Sequence, residues 1–153
     1  MEPLNEDTRW KQRFLNFQRA FSLLREVIEQ NEDICTLEAI VKEGIIQRFE
    51  YTFELAWKTL KDKMIEDGLQ IEKIAPKYVF KEAFQSKYID DIDTWLEMTN
   101  DRNLMSHFYD FSKFDAVLNK LQKRYYPRLF QNSGSFERAT LDVYAVFLLF
   151  FII

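Results

Sequence analysis

Residues 37–64 read LEAIVKEGIIQRFEYTFELAWKTLKDKM. Within them Leu37, Val41, Ile45, Phe49, Phe53, Ala56, Leu60 and Met64 recur at three and four, the spacing that keeps side chains on one face of a helix with 3.6 residues per turn. The pattern predicts a helix of about thirty residues, with Thr36 as its N-cap and Gly68 as its stop.

The same period extends outward on both sides. Upstream, Trp10, Phe14, Phe17, Phe21, Leu24 and Ile28 predict a first helix from roughly Thr8 to Gln30. Downstream, Pro76 suits the first turn of a short third helix, where its missing N–H would be unpaired anyway, and that helix carries Val79, Phe80 and Phe84. Asp90, Asp91 or Asp93 starts a fourth, which runs through Trp95, Met98 and Met105 toward Tyr109. Ser112 followed by Asp115 resembles a capping box, and Phe114, Val117, Leu118, Leu121 and Tyr125 mark a fifth helix ending before Pro127. No strand is predicted.

Composition agrees with this pattern. A chain of 153 residues is the size of one domain and buries a core without disulfides or a structural metal. Apolar residues make up 47% and charged residues 30%, a globular balance. Gly and Pro number three each, too little turn chemistry for a many-stranded β fold. The expected fold class is all-α, a four- to five-helix antiparallel up-and-down bundle over residues 1–131.

After Gln131 the character changes. Asn132-Ser133-Gly134-Ser135 reads as a linker, and Val143 to Ile153 is an uncharged apolar run of eleven residues. A spanning helix needs about 20, so no membrane span is expected. Three readings of residues 132–153 compete: a sixth packed helix or strand, an artefact of an altered reading frame at the gene's end, or an apolar membrane-surface or dimer element.

Charge and cysteine content narrow the function classes. A net charge of −4 gives no global attraction to nucleic acid or anionic lipid, so any RNA contact is local. Cys35 is alone, which fits a reducing cytoplasm, and the acidic start from Met1 to Asp7 lacks the apolar stretch of a secretory signal. Gly only at 44, 68 and 134 leaves neither a P-loop nor a dinucleotide fingerprint. One His and one Cys do not make the usual zinc site, and nothing around Cys35 activates it toward His107. No cofactor or metal is expected.

Three constellations remain. Asp93, Glu97 and Asp101, with Asp90 a turn earlier, give the fourth helix an acidic face, best read as solvated, with a magnesium site or a basic partner surface as alternatives. Glu50, Glu54 and Lys58 form a stripe on the second helix, either as surface ion pairs or with one carboxylate facing an arginine. That arginine is Arg102, which falls on the apolar stripe of Trp95, Met98, Met105 and Tyr109. A guanidinium there needs an acid partner, a cleft or a subunit interface. His107 lies on the next turn, one helical step from Asn103.

The segment Asp101-Arg102-Asn103-Leu104-Met105-Ser106-His107-Phe108-Tyr109-Asp110 resembles the R-x4-6-H signature of the HEPN superfamily, in the R-x4-H-x-Y form of HepT-like toxins. Residues 47–61, QRFEYTFELAWKTLK, resemble the branch called nucleotidyltransferase substrate-binding proteins. The resemblance implies a bundle that homodimerises, with Arg102 and His107 of both subunits around a shared cleft as catalytic residues. Asn103, Glu50 and Glu54 are expected in support. It further implies a partner, a minimal nucleotidyltransferase (MNT), in a toxin–antitoxin module. The HEPN subunit of such a module is a metal-independent RNase, silenced when its partner attaches AMP to the motif tyrosine, here Tyr109. The stretch after Gln131 departs from the family pattern. The other function compatible with these residues is a non-catalytic subunit that binds a nucleotide or substrate for the nucleotidyltransferase.

Overall fold

The computed structural model describes residues 6–106, 111–131 and 134. Its helices are α1 (Glu6–Glu29), α2 (Ala39–Glu66), α3 (Pro76–Gln85), α4 (Ile92–Met105) and α5 (Phe111–Lys120). α5 is prolonged by a π turn, Leu121–Tyr125, and by helical residues 126–131. There is no strand among the described residues, and the all-α bundle expected from the periodicity is what forms.

Long-range side-chain pairs give the topology. Arg13 meets Asp62, and Arg48 donates to the carbonyl of Leu23, so α1 and α2 run antiparallel. Phe21 packs against Phe130, and Gln122 donates to Asn31 O just past the end of α1, which sets the C-terminal helix antiparallel to α1. Arg128 reaches Asp90 while Lys120 reaches Asp101, so α4 is antiparallel to the same helix. Four helices therefore run up and down, and short α3 lies in the connection between α2 and α4.

The core is aromatic because the apolar stripes carry so many rings. Phe49 stacks on Tyr125 at 5.9 Å, and Phe53, Phe80 and Trp95 form a chain across α2, α3 and α4 with centroids 5.9 and 4.8 Å apart. Ring pairs of this kind add about 0.5–1.5 kcal/mol each beyond their burial. Val79 and Phe80 are buried as the short-helix pattern predicts, whereas Phe84 is 43% exposed.

Helix ends follow local rules, with three departures from the sequence reading. α2 stops as expected: Gly68 sits at φ +93°, Leu69 N–H bonds Met64 O, and Gly68 N–H bonds Ile65 O, the Schellman arrangement. It does not start at Thr36. Asp33 caps a 3₁₀ turn, Ile34–Thr36, and the Thr36 hydroxyl donates back to Asp33 O, so α2 begins at Ala39 with Glu38 at its cap. Ser112 lies inside the first turn of α5 rather than ahead of it. Nor does the last helix end before Pro127. The Tyr126 N–H bonds back to Leu121 O, a five-residue step that widens the turn just ahead of the proline, and the helix continues to residue 131. Widening is the way a helix passes an imino acid that lacks an N–H and crowds the preceding turn.

The acidic face of α4 is also not solvated. Glu97 pairs with Lys120 and Arg124, Asp90 and Asp91 pair with Arg128, and Asp101 is buried against Lys120 and Tyr125. Asp93 points to solvent, and Asp90, although paired, is exposed as well. The basic surface that faces this stripe belongs to the same chain. His107, Phe108, Tyr109 and Asp110, and the predicted apolar run after residue 134, lie outside the described residues.

Candidate functional site

The end of α4 positions the motif. Asp91 caps the helix start by accepting from the Thr94 N–H at 3.0 Å, and the last turn carries Arg102. Ser106, the C-cap, donates from its hydroxyl to Arg102 O at 3.1 Å, closing that turn.

Arg102 does not enter the core with Trp95, Met98 and Met105. Its side chain turns to the edge of the α2–α4 contact, where it is about one-third exposed. Nη2 lies 3.4 Å from Glu54 Oε2, Nη1 donates to Asn103 Oδ1 at 3.3 Å, and Nε is buried with no hydrogen-bond partner among the described residues. The guanidinium thus has the acid partner that its place on an apolar stripe demands. Of the two carboxylates on the Glu50–Glu54 stripe, Glu54 makes the ion pair and also holds Lys58 at 3.0 Å, so both alternatives left open for the stripe meet in one residue.

Glu50 stands one turn before Glu54. It accepts a hydrogen bond from Ser106 Oγ at 3.5 Å. Burial pushes its carboxyl above the usual range, against the pull of Arg102 and Ser106. Burial also raises Glu54, but there Lys58 and Arg102, both in contact with it, hold the carboxyl below its ordinary value. Two carboxylates a turn apart therefore differ in character.

These groups line an open groove of about 730 Å³, walled by Gly44, Gln47, Arg48, Glu50, Tyr51 and Glu54 of α2 and by Arg102 of α4. Tyr51 is 61% exposed in it. Arg48, Tyr51 and Ser106 were not singled out in the sequence. The signal was available for two of them, since positions 44, 47, 48, 51 and 54 share one face of α2. Such a groove offers cations to hold one phosphate, carboxylates to accept from hydroxyl or amino groups, and an aromatic face for stacking.

The structure brings together Arg102, Asn103, Glu50 and Glu54 of the predicted site. His107 and Tyr109 lie outside the described residues. Asp101 has a role the sequence did not disclose, because its neighbours come from a helix twenty residues on.

Two other features carry less. A cavity of about 540 Å³ between α3, α4 and the last helix holds none of the motif residues, and its Arg128 is taken up by Asp90 and Asp91. At Cys35, burial and then Asp33 push the thiol above its ordinary value, the opposite of an activated nucleophile.

Comparison with known proteins agrees with this fold. The family model described as nucleotidyltransferase substrate binding protein like matches residues 12–136. Among curated proteins, a probable ribonuclease HepT from Haemophilus influenzae is 34% identical over 77 residues, covering 48% of this chain and 53% of that protein. The chain thus aligns with about half the length of that relative. Among solved structures, a protein from Thermus thermophilus superposes with a TM-score of 0.66 at 31% identity, covering 78% of this chain and 96% of its own. A second, from Haemophilus influenzae and described as revealing the fold of a substrate binding domain of a nucleotidyltransferase, has a TM-score of 0.58 at 22% identity over 86% and 98% of the two chains. The latter is a likeness of fold.

Proposed function

From the chain's membership of the nucleotidyltransferase substrate binding protein like family, we propose that it is the HEPN subunit of a two-component toxin–antitoxin module, a metal-independent endoribonuclease controlled by a minimal nucleotidyltransferase. The observation that carries this reading is the state of Arg102. It sits at the lip of a groove, held by Glu54 at 3.4 Å and with a buried Nε that has no partner among the described residues, five residues before the histidine of the motif. A planar fork of donors left short of acceptors suits a phosphodiester, whose oxygens accept bidentately as charge builds on them in the transition state. The HepT relative supports the ribonuclease class.

In this mechanism His107 removes the proton from a ribose 2′-hydroxyl. The 2′-oxygen attacks phosphorus, the bond to the 5′-oxygen breaks, and His107 of the partner subunit protonates the leaving oxygen. The products are a 2′,3′-cyclic phosphate and a 5′-hydroxyl. The homodimer supplies the second histidine, and light scattering reports it directly. Tyr109, two residues on, is the site at which the nucleotidyltransferase attaches AMP, visible by mass spectrometry after incubation with partner, ATP and magnesium.

A second reading has its own support. The groove balances Arg48 and Arg102 against Glu50 and Glu54, and the chain is acidic as a whole, which favours a small ligand over a polyanion. Under it the chain is a non-catalytic subunit presenting a nucleotide to the nucleotidyltransferase. The deciding experiment expresses wild type and His107→Ala with and without the neighbouring nucleotidyltransferase gene, with growth and RNA integrity as readouts. Toxicity and cleavage by wild type alone, resistant to EDTA and absent in His107→Ala, support the ribonuclease. Cleavage that EDTA abolishes, or that His107→Ala leaves intact, rejects the mechanism.

A further inference from the structure

The two carboxylates of the groove are not equally occupied. Glu54 is committed to Lys58 and Arg102. Glu50 has no ion pair among the described residues, and its hydrogen bond from Ser106 is 3.5 Å long, whereas a hydroxyl held by a carboxylate normally sits at about 2.5–2.7 Å. A carboxylate has two oxygens and about four acceptor sites. Among the described residues Glu50 is therefore a half-buried acceptor with most of its capacity unused, and it faces an open groove from which a ligand hydroxyl can reach it.

Its neighbours limit what can supply the missing donor. A cationic ligand would satisfy Glu50 but meet Arg48 and Arg102, which line the same groove. A ligand with phosphate groups but no donor would satisfy the arginines and meet Glu50 and Glu54. A ligand that carries one phosphate and, a few ångströms away, an uncharged hydroxyl satisfies both sets. Ribose phosphate has this form, and the exposed ring of Tyr51 beside it offers a face for the base.

We propose that Glu50 is the hydroxyl-accepting residue of the Arg102 groove, selecting ligands with a ribose 2′-hydroxyl over their deoxyribose counterparts. This rests on the proposed phosphate-binding role of Arg102. The pull of Arg102 on the Glu50 carboxyl places cation and acceptor on the same space, and the burial that raises that carboxyl is the desolvation a ligand hydroxyl would offset.

The shared chemistry can come from a mononucleotide or from RNA, and binding to the full-length protein separates them. One arm titrates AMP against 2′-deoxy-AMP. The other titrates a labelled octaribonucleotide against its deoxy counterpart, both in a His107→Ala background that prevents turnover. The ribose form should bind about tenfold tighter, as expected for a hydrogen bond to a charged acceptor. Glu50→Gln should bring the ratio within about threefold while leaving deoxy affinity equal or improved, a selective change that a merely structural role would not produce. Arg102→Ala should weaken both forms alike. A preference seen with AMP alone identifies a mononucleotide, and one seen with the oligomers alone identifies RNA. A ribose-to-deoxyribose ratio unchanged in Glu50→Gln, with Arg102→Ala still abolishing binding, overturns the Glu50 assignment and leaves the Arg102 site standing. Binding that survives Arg102→Ala, or no binding to wild type in either arm, overturns the underlying site as well.

Discussion

The phenol of Tyr125 donates to the carboxylate of Asp101, the residue immediately before the motif arginine, and Lys120 reaches the same carboxylate at 3.0 Å. Tyr125 is fully buried, and burial followed by this bond to an anion raises its phenol above the ordinary value. The last turn of α4 is thereby tied to the C-terminal helix at the point where Arg102 leaves the core. Tyr125→Phe removes one bond and leaves Asp101 with Lys120, for a loss of about 1 kcal/mol. Asp101→Ala strands a buried phenol and should cost about 2–3 kcal/mol. In urea denaturation the double variant should lose less than the sum of the two, because the residues share one network.

Lys87 supplies a prediction of opposite sign. It stands at φ 63° where α3 ends, with Tyr88 N–H on Ala83 O and Lys87 N–H on Phe84 O, the same arrangement that closes α2 around Gly68. A side chain in this left-handed conformation costs on the order of 1 kcal/mol, which glycine avoids. Lys87→Gly should therefore stabilise the protein by roughly 0.5–1 kcal/mol, seen as a higher thermal midpoint.

The pH dependence of stability should carry the signature of Glu50. Burial raises its carboxyl in the fold above the ordinary 4.5. The protonated form is thus favoured in the native state, so this group's contribution is complete below pH 4.5 and lost as pH rises through the folded value. At pH 7 its ionised form is a net cost that glutamine does not bear. Glu50→Gln should melt above wild type at pH 7, and the gap should close on acidification toward pH 4.5. A gap that widened on acidification would contradict the assignment.

Phe80 joins three helices, touching Phe53 on α2 and Trp95 on α4 from its place on α3. Phe80→Ala opens a cavity that the flanking rings cannot fill and should cost about 3–5 kcal/mol. Phe84→Ala, on the exposed side of the same short helix, should shift stability by no more than about 1 kcal/mol. Paired denaturation curves test both.

Much of the bundle was legible in the sequence because helix periodicity, proline at a first turn and glycine at a stop are local, set by residues within a turn or two of one another. Phe49, Phe53 and Leu60 had to share a face wherever α2 lay, Pro76 marks a helix start in the chain as in the fold, and of Asp90, Asp91 and Asp93 the fold takes Asp91. Arg102 was conspicuous for a similar reason, since a cation on an apolar stripe demands a partner. Which partner it has, Glu54 rather than Glu50, depends on how α2 and α4 lie against each other. The burial of Asp101 is also tertiary. An acidic stripe faces water or protein according to what packs on it, and here Lys120, Arg124 and Arg128 arrive at matching intervals on an antiparallel helix. The passage of the last helix through Pro127 is decided in the same way. Leu121, Tyr125 and Leu129 are all held in the core on either side of the proline, and a π turn keeps both flanks packed where the local rule would have ended the helix.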